Sequence, residues 1–399
     1  MTLPVLVVFL LSLATSGKGQ GVDGKAGAFF RQARRSGLWP EAEAVHRSTV
    51  TKARAHLSWE AFEQLHHDSV RLAYEVWPAS DGDTWMGLSV FAIDGSKYRL
   101  PASAALRATF DPDSGLDQPG RGHYPLCLVS TAHDVFRRIP IARTVQPMTR
   151  ADEREEAKAL LPHIPPGGVI LFDRGYPGHD LIDRLNRNYR GYWLMRCPAS
   201  GTFAAVEAFA QSGRAEAAIA LTPPRSKPVT VRAIRLVGPD GELSVLITNL
   251  VDADRFPAAA VTGLYFRRWE LEVHYRDEKA SLDIETFHSR TENGVRQELF
   301  AVLVMAVISR ILMSLAPHPD PAIDAQPQFK NAMITLAGEA FVLAPRHPEL
   351  ALLIFGELLD EIARVRYYRP KTARPPQPRV CKKPVSKWQV DKAKRIASG

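Results

Sequence analysis

The chain has 399 residues, 45% hydrophobic and 24% charged, ordinary values for a globular protein of two or three domains. Its three cysteines, Cys127, Cys197 and Cys381, are few, odd in number and far apart, which argues against a disulfide framework or a cysteine-built zinc site and suits a reducing cytoplasm. The net charge of +8 is unevenly spread: residues 364–399 hold twelve Lys or Arg and one acid, a net +11, which leaves the rest of the chain at −3.

Residues 1–13 (MTLPVLVVFLLSL) have the apolar core of a secretory signal but no positively charged start. Secretion is the alternative; the expectation is an apolar helix buried in an N-terminal domain. Residues 22–85 read as helical and of mixed charge. Ser48 and Thr49 can cap a helix running through Val50, Ala53, Arg54 and Leu57. With His46, Arg47 and Lys52 beside it, this is either a DNA-contacting helix or an ordinary amphipathic one.

A strand at 88–93 (LSVFAI) is expected to end on Asp94, followed by a turn at Gly95 and Ser96. Residues 125–131 and 138–143 read as further strands, and 150–161 as a helix. Pro165, Pro166, Gly167 and Gly168 break the chain before an apolar strand at 169–172, which ends on Asp173 ahead of a turn at Arg174 and Gly175. A helical pattern then covers 180–188. Strands alternating with helices predict an α/β core. Residues 192–196, 217–221, 229–237 and 243–248 read as short strands separated by Pro and Gly turns, a β-rich insertion.

Two helical segments follow, at 261–281 and 294–316. The apolar run 299–316 approaches the length of a membrane span, but Arg310 interrupts it at a cost lipid does not readily bear. A central helix of a large core is expected, and no membrane partner. After Pro317 come a proline-rich linker, a helix near 348–365 and the basic tail, which suits a polyanion such as nucleic acid or else a solvated disordered end. No internal repeat is present. The divisions are 1–85, a helical region and candidate DNA-binding segment; 86–190 and 259–318, the two parts of the core; 191–258, the insertion; and 319–399, a helical region with the basic tail.

Asp94 and Asp173 share one setting, the C-terminal end of an apolar strand, where loops of an α/β sheet shape a cleft. Each taken alone is better read as merely starting a turn, a common job for Asp. A third element changes the balance. On a continuous helix through residues 265–279, Tyr265, Arg268, Glu272 and Lys279 fall within an arc of about 60°. One face then offers a carboxylate flanked by two cations and a phenol. An exposed face laced with ion pairs accounts for the charges, but not for Tyr265 among them or for the two aspartates. Three carboxylates are what two-metal phosphoryl transfer requires: oxygen ligands for magnesium, with Asp94 as the bridge and Asp173 and Glu272 flanking. Arg268 and Lys279 suit phosphate oxygens, the first as a fork and the second as a point charge, and Tyr265 can donate to a phosphate. No P-loop, dinucleotide glycine motif, HExxH or G-x-S-x-G elbow competes.

The pattern Tyr265-x2-Arg268-x3-Glu272-x6-Lys279 resembles the Y-x2-R-x3-E-x6-K signature of bacterial DDE transposases of the insertion-sequence-four type. Ala92 to Ser96 resembles that family's first-aspartate strand, and Phe172 to Tyr176 its second. The aspartates and the glutamate come in order, separated by 79 and then 99 residues, and the resemblance runs from about residue 40 to 318. It implies a ribonuclease-H-like mixed-sheet core with a β-rich insertion between Asp173 and Glu272 and a helical N-terminal region. It implies cut-and-paste transposition with two Mg2+ ions, Mn2+ substituting, commonly through a DNA hairpin. The implied partners are terminal inverted repeats, target DNA and a second copy of the chain in a synaptic dimer at the nucleoid.

The resemblance also carries DNA-phosphate contact over to Tyr265, Arg268 and Lys279, and a DNA contact to Arg196 in the insertion. The hairpin route calls for an aromatic to stack on a flipped base, worth about 1–3 kcal/mol; Trp193 suits this by residue type alone, and packing in the sheet is the competing expectation. The start at Met1 is abrupt for the family, so a shortened DNA-binding region is expected. An inactive DNA-binding regulator and a stand-alone nuclease of the same fold are the alternative readings.

Overall fold

One eight-stranded sheet forms the centre of the structure, a computed structural model that describes residues 2–15, 21–35, 41–111, 124–222, 227–238, 241–318, 325–338 and 348–368. Most of the proline-rich linker and nearly all of the basic tail lie outside the described residues.

Four helices precede the sheet. The first, α1 (Leu3–Ala14), starts with a proline in its first turn and buries Leu6, Phe9, Leu10 and Leu13. Next, α2 (Val22–Arg35) buries Ala26, Phe29, Phe30 and Ala33, one helical face. The third, α3 (Arg47–Ala55), is capped by His46, whose ring accepts from the Ser48 amide, so the cap sits ahead of the expected Ser48 and Thr49. The fourth, α4 (Glu60–Val76), buries Phe62, His66, Ser69 and Ala73. Arg54 of α3 points into the protein, where it pairs with Glu298 at 3.1 Å and donates to Gln297 and to the Gly294 carbonyl. That cation is structural.

A meander follows: β1 (Val90–Arg99), α5 (Ala104–Phe110), β2 (Leu126–Asp134) and β3 (Ile139–Pro147). Then come α6 (Glu153–Leu160), β4 (Val169–Phe172), α7 (His179–Asn188) and β5 (Tyr192–Pro198). The run α8 (Ala204–Gln211), β6 (Glu216–Leu221), β7 (Val229–Val237) and β8 (Leu243–Thr248) completes the sheet. The strand order is β3-β2-β1-β4-β5-β8-β7-β6. Strand β2 pairs antiparallel with β1 and β3 antiparallel with β2, while β4 and β5 lie parallel to β1 on the other side. That five-strand order, 3-2-1-4-5, is the ribonuclease-H-like arrangement. The strand expected to open the insertion is its fifth member, and β8, β7 and β6 prolong the same sheet antiparallel beyond it.

Alternation along β1 fills both faces: Val90 and Ala92 join one apolar core, Phe91 and Ile93 the other. After the sheet, α9 (Ala258–Phe266) and α10 (Trp269–Arg276) lead through a π-helical turn (Asp277–Ser281) into α11 (Glu292–Leu315). The last of these is 24 residues long, and its apolar stretch is 78% buried. It is the central core helix, against which α1, α3 and α4 pack. The chain closes with β9 (Ala325–Pro327), α12 (Phe329–Leu336), α13 (Ala351–Arg364) and β10 (Arg366–Tyr368), which pairs with β9.

Candidate active site

Strand register brings the two aspartates together. In the parallel pair β1/β4, Val90 faces Val169 and Ile93 faces Phe172, so the next residues, Asp94 and Asp173, sit on neighbouring strands. Adjacent strands lie about 4.8 Å apart. At Asp173 the strand ends as expected, and its carboxylate accepts from the Arg174 amide at 2.6 Å. Asp94 differs from the expectation: β1 continues through it to Arg99, with Asp94 opposite Thr131 and Gly95 opposite Ser130. Gly95 and Ser96 look like a turn locally, but β2 supplies a full row of cross-strand partners, and tertiary pairing prevails.

The third carboxylate comes from α10. The expected single helix over 261–281 is instead two helices and a π turn. Between α9 and α10 the amides of Arg267 and Arg268 reach back only three residues, to the carbonyls of Leu264 and Tyr265. The tightened turn still keeps Tyr265, Arg268 and Glu272 together. Arg268 spans two acids: Nη1 donates to Asp94 Oδ2 at 3.2 Å and Nη2 to Glu272 Oε1 at 2.7 Å. Burial alone would weaken its charge, but Asp173, Tyr265, Asp94 and Glu272 together hold its pKa above the usual arginine range. Tyr265 is buried, and that burial pushes its phenol up to about 12, against the pull of Arg268.

Lys279 goes elsewhere. The π turn rotates it off the Glu272 face, so Nζ donates to Ser96 Oγ at 2.6 Å and to the Lys97 carbonyl at 2.7 Å, and lies 4.3 Å from the centre of the Tyr98 ring. It flanks β1 just past Asp94. Arg196, on β5, donates to Ser244 Oγ at 2.9 Å and pairs with Glu242 at 3.2 Å. Trp193 is 1% exposed, with its indole N–H on Asn186 Oδ1 at 3.0 Å; it packs in the sheet. The exposed rings near Arg268 are Phe266 and Trp269, at 50% and 41%.

Beneath lie supports whose partners the sequence does not name, although Tyr275 borders the Glu272 face on a helical wheel. The Tyr275 hydroxyl donates to the Asp94 carbonyl at 2.7 Å, with the Val129 carbonyl also in reach at 3.2 Å. This ties α10 to β1 at the site. Below it, Arg143 of β3 grips Glu278 with Nη2 at 2.8 and 3.0 Å, and Tyr98 and His274 complete the buried set. Burial would raise the Glu278 carboxyl, but Arg143 and His274 hold it well below the usual range. Only the charge run Asp277–Lys279 hinted at this, and nothing in it identifies Arg143 as the partner.

The donor set suits a hard divalent cation. Every candidate ligand is a carboxylate oxygen. Burial pushes Asp94 up to about 6, opposed by Arg268 and by the Gly95 amide and aided by the charges of Asp173 and Glu153. A group in that state gains from a cation. Among the described residues no three His, Cys, Asp or Glu are already gathered around one point. The reason is visible: the Arg268 guanidinium stands between Asp94 and Glu272 as the resident positive charge.

Residues 85–308, more than half of the chain, match a protein family described as "Transposase DDE domain". The chain is 26% identical over 285 residues to the transposase InsG for insertion sequence element IS4 of Escherichia coli K12, a match covering 68% of this chain and 62% of InsG. It is 28% identical over 172 residues to the putative transposase InsZ of the same organism, covering 41% of this chain and 54% of InsZ. It is 35% identical over 88 residues to the putative transposase y4zB of Sinorhizobium fredii, covering 22% and 24%. The chain thus spans less than two thirds of the length of the curated relatives it matches. Among solved structures, a piggyBac transposase synaptic complex with hairpin DNA aligns with a TM-score of 0.41 and 10% identity, over 98% of this chain and 76% of that one.

Proposed function

This chain belongs to the DDE transposase family, and we propose that it is a DNA transposase that cleaves the ends of its element and joins them to target DNA. The observation that carries this reading is the β1/β4 register, which sets Asp94 beside Asp173 with Glu272 one guanidinium away. Asp94, Asp173 and Glu272 would hold Mg2+, with Mn2+ as a substitute. Two such ions, when bound, activate the attacking oxygen and stabilise the leaving oxygen of an in-line displacement at phosphorus.

The protein's own groups have separate tasks. Arg268 exchanges its two carboxylate partners for a phosphate of the DNA end, which both clears the acids and grips the substrate with a fork. Tyr265, beside it, donates to the same backbone. Lys279 offers its ammonium farther along β1, and Arg196 does so from β5. Phe266 and Trp269 provide exposed rings on which a splayed base can stack. Water attacks at the element end, and the freed 3′-hydroxyl is the nucleophile of the next step. The reaction calls for paired ends and hence a second copy of the chain, working on DNA in the cytoplasm.

The test uses the purified full chain, Mg2+ and a duplex ending in the inverted repeat that flanks its coding region. Cleavage at the repeat followed by strand-transfer products supports the proposal. Cleavage without any joining points to a nuclease, and tight binding of the repeat without cleavage points to a regulator.

A further inference from the structure

A fourth acid reaches the same site from a direction that the signature residues do not use. Glu153 opens α6, the helix between β3 and β4, just after the N-cap Asp152. The cations of its helix are engaged elsewhere: Lys158 on Glu155 and Asp180, and Arg154 on the Gly175 carbonyl at 3.3 Å. The carboxylate of Glu153 lies over the two glycines that follow the aspartates. A methyl group placed on Gly95, next to Asp94, would come within 3.0 Å of Glu153 Oε1. One placed on Gly175, two residues past Asp173, would lie 3.7 Å from Oε2. Each oxygen thus faces the backbone beside one aspartate.

An independent feature points to a ligand there. Tyr176 is 1% exposed, and among the described residues its hydroxyl has no hydrogen-bond partner. Burial raises its pKa well above the usual value, and the next causes are the charges of Asp94 and Glu153, with Asp173 also contributing. The phenol is therefore a buried, unused donor near the charges of Asp94, Glu153 and Asp173. Buried hydroxyls normally find a partner. A carboxylate drawn inward by a shared cation, or a water on that cation, would supply one.

We propose that Glu153 is a fourth ligand of the divalent-cation site, reaching it from α6 on the side of Gly95 and Gly175, with the Tyr176 hydroxyl donating to the assembled ligand shell. This rests on the reading of Asp94 and Asp173 as metal ligands. A methyl group at Gly95 would crowd both Glu153 and, at 3.1 Å, Leu128 Cδ1, so a side chain there would displace Glu153 or Leu128.

The test is Mn2+ binding to the full chain without DNA, followed by calorimetry. Glu153→Gln is isosteric and half-exposed, and unfolding curves in chelator confirm that each variant folds. Glu153→Gln should weaken Mn2+ binding about tenfold or more, the usual loss when a metal site is perturbed. Gly95→Ala should weaken it in the same direction, and Glu155→Gln, on the same helix but paired with Lys158, should leave it unchanged. Wild-type affinity in Glu153→Gln, with the loss confined to Asp94→Asn, would overturn the proposal and leave the three-acid site standing. Wild-type affinity in both variants would overturn the two together.

Discussion

The Tyr275 hydroxyl donates to the main-chain carbonyl of Asp94 at 2.7 Å. The helix that carries the third carboxylate is thereby fastened to the strand that carries the first, and at the residue itself. A net hydrogen bond of this kind is worth about 1 kcal/mol, and the cost of leaving the acceptor unmet is somewhat higher. Tyr275→Phe is expected to lower stability by about 1–2 kcal/mol in denaturant unfolding. Because Glu272 then loses its anchor, cleavage should fall by more than that stability loss explains. A variant with wild-type cleavage would show that the link is structural only.

Arg268 bridges Asp94 and Glu272 with two separate nitrogens. Lysine keeps the charge but has one point to offer where the site uses a fork. Arg268→Lys should therefore reduce cleavage by about tenfold or more, since hydrogen bonds to charged groups are each worth about 1.5–3 kcal/mol. Equal rates in the two proteins would remove Arg268 from the chemistry.

The pH dependence of stability follows from Asp94. Burial pushes its carboxyl up to about 6 from the model-compound value near 3.8. The folded state thus binds the proton more tightly than the unfolded state. The stabilising effect is fully present below pH of about 4 and is lost as pH rises through about 6. In chelator, the wild-type melting temperature should fall relative to that of Asp94→Asn across this window. Parallel curves for the two proteins would mean that Asp94 is not the titrating group.

Arg143 and Glu278 form a pair with side chains 0% and 1% exposed. Removing one partner strands the other charge, at a cost of about 3–5 kcal/mol. Glu278→Gln should lose stability on this scale, and replacing both residues with apolar ones should recover much of it. Denaturant unfolding of the single and double variants checks this.

The basic tail offers a further test. Ten of its twelve cations follow Tyr368. Truncation there should weaken DNA binding and flatten its dependence on salt, because phosphate contacts release counterions. An unchanged salt slope would make the tail irrelevant to DNA.

The sequence made some of this legible through strong local signals. The apolar run before Asp173, set off by prolines and glycines, reads as a buried strand, and Arg310 within the long apolar stretch favours a core helix over a membrane span. Tyr265, Arg268 and Glu272 stay together because their spacing survives a tightened turn between α9 and α10. What escaped depends on distant partners. Gly95 and Ser96 extend β1 because β2 pairs with them. Lys279 leaves the Glu272 face because the Glu278 side chain is drawn down to Arg143, 135 residues away, where the helix opens into a π turn. Trp193 has the aromatic surface for stacking but lies inside the sheet, whereas Trp269, which borders the Glu272 face in the sequence pattern, and Phe266 are exposed. Glu153 looked like any acid in the first turn of a helix.

The most direct measurement is metal-dependent cleavage of the flanking inverted repeat by the full chain and by Asp94→Asn and Glu272→Gln, with DNA binding followed in parallel. Both variants should hold the DNA as tightly as wild type and leave it uncut at any Mg2+ concentration. Undiminished cutting by either would mean that the acids gathered around Arg268 are not where the phosphodiester is broken.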